Sequence, residues 1–191
     1  MIDLSINTSS SSINHGARNL AMTSLGHFVN DGTVFFFPLL VDILVKVNSL
    51  SPLFVTFLLG IFYTAASLFS IMVGRISELW DRKGLLIGMG LSLMAIGVLG
   101  FYEVIIGSLG AALPYIAGLS ALSAGVGSSF YHPLGGAILQ STFTPRSRGK
   151  ALGVNGSMGS ETLFLMAFFS VHSRAFCEMS QQVTVLPILA Q

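Results

Sequence analysis

The sequence has 191 residues, of which 52% are apolar and 9% charged, and its net charge is +1. A soluble domain carries about 25% charged residues to wet its surface, so this chain, with a mean hydropathy of +0.79, is matched to lipid and not to water. The small net charge leaves no basic footprint for nucleic acid, and the single cysteine, Cys177, excludes an internal disulfide or a multi-cysteine metal centre.

A membrane-crossing helix needs about 20 mostly apolar residues to span about 30 Å of hydrocarbon. Residues 1–17 are polar and Ser-rich, lack the charged-then-apolar pattern of a secretory signal, and read as a disordered cytoplasmic tail. Residues 18–171 read as a bundle of about five transmembrane helices. Spans are expected at Leu20–Val45, Leu53–Val73, Leu85–Tyr102 and Leu109–Phe143, with a weaker fifth at Ala151–Val171 that contains Asn155 and Glu161. None alternates at period two, which argues against a barrel. The links Lys46–Pro52, Gly74–Gly84 and Thr144–Lys150 are short, so neighbouring helices run antiparallel. Residues 172–191 read as a divergent tail, in which Val183–Ala190 is apolar but too short to cross.

With the N-terminus inside, the cytoplasmic segments hold Arg18, Arg75, Arg82, Lys83, Arg146, Arg148 and Lys150, seven of the nine basic residues; Lys46 lies outside, as does Arg174 if the fifth span crosses. That bias follows the positive-inside rule and supports the span count. Trp80 and Tyr102 fall near the interfaces as anchors, and Phe35, Phe36 and Phe37 read as lipid-facing or packing residues.

The first span contains His27, Asn30 and Asp31. A charge at mid-membrane costs about 2.5–3.5 kcal/mol on insertion scales, so such a residue faces a cavity or a partner. His27 and Asp31 are four residues apart and share a helix face. An imidazole beside a carboxylate in a poorly hydrated cavity makes a proton-binding pair; the plainer reading is that both groups only satisfy neighbouring helices. In the fourth span, Gly125–Pro133 ends on Tyr131, His132 and Pro133, and the proline removes a backbone donor and can kink the helix. The small residues of Ala117–Ser129 suit close helix packing, and Gly149, Gly153, Gly156 and Gly159 form a flat stripe on the fifth. There is no phosphate loop, nucleophile elbow or zinc-spaced cluster, so neither an enzyme nor a cofactor is expected. His27, Asp31 and His132 as ligands of a membrane-embedded metal enzyme is the weakest alternative, and no metal is expected.

Gly74–Gly84 resembles the cytoplasmic signature between helices two and three of the major facilitator superfamily: Gly74, Glu78, Arg82 and Lys83 fit, and Asp81 stands where the second glycine usually sits. Pro145–Gly153, with Arg146, Arg148 and Lys150, resembles that superfamily's loop between helices four and five. His27, the Asn30–Asp31 pair, Pro38–Leu40 and the run to His132–Pro133 are similar to its fosmidomycin-resistance branch. Two departures stand out: no arginine occurs between Leu109 and Thr144, and Leu163–Phe164 replaces the usual Gly-Pro pair.

The resemblance covers Ala17–Gly159 and implies a twelve-helix fold of two six-helix halves, of which this chain supplies most of one. It implies alternating access around a central site. Asp31 and His27 would bind the coupling proton, and His132 would bind a small-molecule substrate or relay the proton. Glu78, Asp81, Arg82 and Lys83 would latch the cytoplasmic gate by pairing with one another or with helix ends. Export is the direction by analogy. After Ser160 the sequence reads as unrelated, as a truncated or frameshifted reading frame would give. One bundle cannot enclose a pathway, so a second copy or a partner half is expected; the alternative is a membrane fragment without transport activity of its own.

Overall fold

In hydrocarbon each apolar run must satisfy its backbone polar groups within itself, which leaves the helix as the spanning form. The computed structural model describes residues 8–48, 50–162 and 164–165, and among these there is no strand. The helices are α1 (Thr8–Asn48), α2 (Pro52–Leu79), α3 (Lys83–Ile106), α4 (Leu113–Ser128), α5 (Tyr131–Thr142) and α6 (residues 145–162), with a 3-10 turn at Gly110–Ala112. Four stretches are long and apolar enough to cross a membrane: His15–Asn48, Pro52–Leu79, Lys83–Ile106 and Gly110–Thr142. The last of these is α4 and α5 together. The expected fifth span is helical through residue 162 and again at 164–165; its other residues, and the tail at 172–191 with Cys177, lie outside the described residues.

The helix boundaries differ from the hydropathy boundaries. α1 begins at Thr8, inside the stretch that reads as a tail. Hydropathy marks where lipid starts, whereas a helix can continue into water on its own hydrogen bonds. The same reason shortens the charged links. Gly74, Arg75 and Glu78 belong to the last turns of α2, and only residues 80–82 connect it to α3. Arg146, Arg148 and Lys150 lie in the first turns of α6, and only residues 143–144 connect α5 to it. Ser51 starts α2 by accepting the backbone N–H of Phe54, with Pro52 in the first turn where its missing donor costs nothing.

Glycines set how closely the helices pack. A Cβ on Gly97 of α3 would sit 2.6 Å from the Ala124 nitrogen and the Ser120 oxygen of α4. Gly127 is as tightly placed against the Met94 and Gly90 backbones, and Gly125 against the Phe62 carbonyl of α2. The small residues of α4 thus bring it to backbone contact with both neighbours, which lets dispersion forces hold helices that lipid alone does not drive together. Beside this seam, Phe37 is fully buried, stacked on Phe62 at 4.1 Å between centroids and edge-on to Phe101 at 5.0 Å. Phe36 next to it is exposed. Met22, Leu53, Leu68, Ile96, Leu99 and Leu119 turn more than half of their surface outward, as a lipid-facing exterior requires.

The fourth span is interrupted at residues 129–130, between α4 and α5, and Pro133 lies in the first turn of α5. Ser129 and Phe130 keep helical dihedrals, so the chain continues with little change of course. Pro133 cannot donate to the Ser129 carbonyl one turn back. The Ser70 hydroxyl of α2 gives its one hydrogen to the Ala66 carbonyl at 2.7 Å and lies 3.3 Å from the Ser129 carbonyl.

Candidate functional site

α1, α5 and α6 meet around a polar cluster midway along the apolar segments. His27 and Asp31 project from one face of α1, with His27 Nε2 3.1 Å from Asp31 Oδ2. His132, in the first turn of α5, brings its Nε2 to 3.4 Å from Asp31 Oδ1. Asn30 donates from Nδ2 to Asp31 Oδ1 at 3.0 Å and is fully buried. The structure therefore gathers His27, Asn30, Asp31 and His132 into one site, although 102 residues separate Asn30 from His132. The Asp31 side chain is mostly enclosed, whereas that of His132 is 59% exposed, so the cluster opens on the His132 side.

Three residues that the sequence does not single out complete it. His27 Nδ1 lies 2.7 Å from the backbone carbonyl oxygen of Asn155 on α6. Tyr131 stacks on the His27 ring at 4.9 Å, its hydroxyl 2.7 Å from the Thr23 carbonyl and 2.9 Å from the Asn155 side-chain amide. Gly159, one helical turn beyond Asn155, leaves the space that His27 and Asp31 occupy: a Cβ there would sit 2.8 Å from His27 Nε2 and 2.6 Å from Asp31 Oδ2. The signals for Asn155 and Gly159 were a lone amide in an apolar run and a glycine four residues later, both read as general features of the fifth span. Of its glycine stripe, Gly149, Gly153 and Gly156 have no described atom within contact distance of such a Cβ. Thr162 adds a bond from Oγ1 to the Phe28 carbonyl at 3.3 Å. Glu161 is exposed and takes no part.

These contacts fix the hydrogens. A carbonyl oxygen only accepts, so at 2.7 Å His27 Nδ1 carries the proton and donates to Asn155. The Tyr131 hydroxyl has one hydrogen, which the Thr23 carbonyl receives. The Asn155 amide satisfies both neighbours when its NH2 faces Tyr131 Oη and its oxygen faces His27 Nδ1, the two amide ends being interchangeable by rotation. With Nδ1 protonated, Nε2 of a neutral His27 points a lone pair at the Asp31 carboxylate across 3.1 Å. A proton shared between Nε2 and Oδ2 would turn this contact into a hydrogen bond.

The charged motif at the α2–α3 connection contains one ion pair among its own residues. Lys83 pairs with Asp81 at 3.3 Å, both within the connection and the first turn of α3. Among the described residues Glu78 forms no ion pair with Arg75, Arg82 or Lys83; all four lie at a helix end where water competes for them. Arg148 donates to the Phe143 carbonyl at 3.4 Å, while Arg146 and Lys150 are exposed. Asn19 on α1 donates to Thr142 at 3.0 Å, which ties the start of the first span to the end of the fourth. Arg18, the α2–α3 connection and the start of α6 therefore share one end of the bundle.

The sequence model of a family described as the Major Facilitator Superfamily matches residues 23–171. No curated protein and no solved structure matches the chain.

Proposed function

The chain belongs to the major facilitator superfamily, a family of multi-pass membrane transporters, and from that premise we propose that it transports a small molecule in exchange for protons through the His27–Asp31–His132 site. One observation carries the reading. A carboxylate mostly enclosed within apolar helices has an imidazole on each side, at 3.1 and 3.4 Å, and a shared proton would turn the shorter contact into a hydrogen bond. A proton is the smallest cation that fits, and it can leave through the exposed side of His132. Asp31 and His27 carry the coupling proton, and His132 passes it on or binds the substrate.

The pathway is completed by a second half, from a partner segment or a second copy, facing the open side of the site. By the positive-inside rule, the cluster of basic residues at one end supports a cytoplasmic position for that end, with the N-terminus inside a cell membrane. The direction is export, and the fosmidomycin-resistance-like branch is the nearest kind of transporter by its first and fourth helices.

The test uses everted membrane vesicles containing the protein, energised by respiration and loaded with a fluorescent reporter of the pH gradient. Compounds from a panel of small antimicrobials are added one by one. The expected result is that at least one of them collapses part of the gradient in vesicles with the native chain and not in vesicles with Asp31→Asn. Compound-dependent proton movement that survives Asp31→Asn unchanged would refute the assignment.

A further inference from the structure

We infer that the His27–Asp31–His132 cluster is also a binding site for a divalent transition-metal ion of the zinc or cobalt type. The three groups each offer one ligand atom, and these atoms lie within 4.8 Å of one another. His27 Nε2 and Asp31 Oδ2 are 3.1 Å apart, and His132 Nε2 and Asp31 Oδ1 are 3.4 Å apart. Ligands held about 2.0–2.2 Å from one tetrahedral ion are separated by about 3.3 Å; each imidazole stands at that spacing from a different oxygen of Asp31, so one ion between them needs the carboxylate to turn or to bind through both oxygens. Two imidazoles and one carboxylate favour transition ions over magnesium or calcium, which prefer all-oxygen shells.

The surroundings point the same way. A metal-ligating imidazole usually donates its other N–H to a carbonyl or carboxylate, which fixes the tautomer and aims the free nitrogen at the metal. His27 does this, donating from Nδ1 to the Asn155 carbonyl at 2.7 Å and leaving Nε2 turned towards Asp31. Ligating carboxylates are themselves hydrogen-bonded, and Asp31 Oδ1 accepts from Asn30 at 3.0 Å. Gly159 keeps the wall beside Nε2 and Oδ2 free of side-chain atoms. On the opposite side, exposed His132 leaves at least one coordination position open to the cavity. A substrate bearing a metal-binding group could fill that position.

The inference uses the same site as the transport reading but depends on neither transport nor protons. Its test is a binding measurement on the full chain, purified in detergent without a histidine tag and stripped with chelator, with Co2+ as the probe. One equivalent of Co2+ should give a saturable d–d absorption band that one equivalent of Zn2+ abolishes. His132→Ala, which removes an exposed side chain and so spares the fold, should weaken Co2+ binding by more than about tenfold. Asp31→Asn should do the same, while His15→Ala, outside the cluster, should leave it unchanged. A missing band, or a band indifferent to His132→Ala and Asp31→Asn, overturns the proposal. Metal binding without compound-driven proton movement would sink the transport reading alone, and the reverse result would sink this one alone.

Discussion

His27 Nδ1 donates to the backbone carbonyl of Asn155, 128 residues away, at 2.7 Å. A backbone carbonyl cannot be removed by substitution, so the protein holds the orientation of this imidazole through the placement of a whole helix. The side chains around it tune that placement. Tyr131 covers the ring and joins Thr23 on α1 to Asn155 on α6.

Tyr131→Phe keeps the stacked ring and removes the hydroxyl. Hydrogen bonds between membrane helices contribute about 0.6 kcal/mol on average and up to about 1.7 kcal/mol. The variant should lose stability in that range, read as a lowered midpoint of thermal unfolding in detergent. It should also lower compound-driven proton movement, since one of the bonds that tie α6 to α1 at the level of His27 is lost.

Gly159→Ala introduces a methyl group into the space of His27 Nε2 and Asp31 Oδ2. Either the pair separates or α6 moves outward. Vesicle transport should fall by more than about tenfold, in keeping with the steep cost of an ångström's misplacement at a working site. Gly153→Ala, which meets no described atom, should retain activity within about twofold of the native chain. Equal losses in the two variants would mean that crowding at the site is not the cause.

The α3–α4 seam should reject side chains. Gly97→Val places branched carbons against the Ala124 nitrogen and the Ser120 carbonyl and should destabilise by about 1–3 kcal/mol through overpacking. Gly88→Ala, on the open side of α3, should be tolerated or mildly stabilising, because alanine is the better helix former. Thermal unfolding of the two variants side by side checks both.

The orientation can be read with single cysteines in a Cys177→Ser background. Asp81→Cys lies at the end that collects most of the basic residues, and Ser108→Cys lies at the other. In intact cells a membrane-impermeant maleimide should label Ser108→Cys, and Asp81→Cys only after the membrane is opened. The opposite pattern would invert the assigned topology.

Much of the fold could be read from the chain in one dimension. The first four spans were placed to within several residues because crossing a bilayer sets a minimum length of apolar sequence, and nothing about neighbouring helices changes that requirement. Helix ends were read less well. Glu78 and Arg146 looked like loop residues because they are charged, yet both sit in helical turns, since charge determines where a helix leaves lipid and not where it stops. His27 and Asp31 were visible as a pair from their spacing on one helix. Asn155 and Gly159 were visible only as an interruption and a stripe, because their roles depend on which face of α6 turns towards α1.

The sequence alone determined that this is a membrane protein with helices of bilayer length, and that a carboxylate and an imidazole share the first of them. Those properties follow from the transfer free energy and the helical repeat of single segments. Only the tertiary structure decided that His132, Tyr131, Asn155 and Gly159 converge on that pair. Helix rotation and depth are set by close packing of small residues such as Gly97 and Gly127, and that packing depends on the facing surface of another helix.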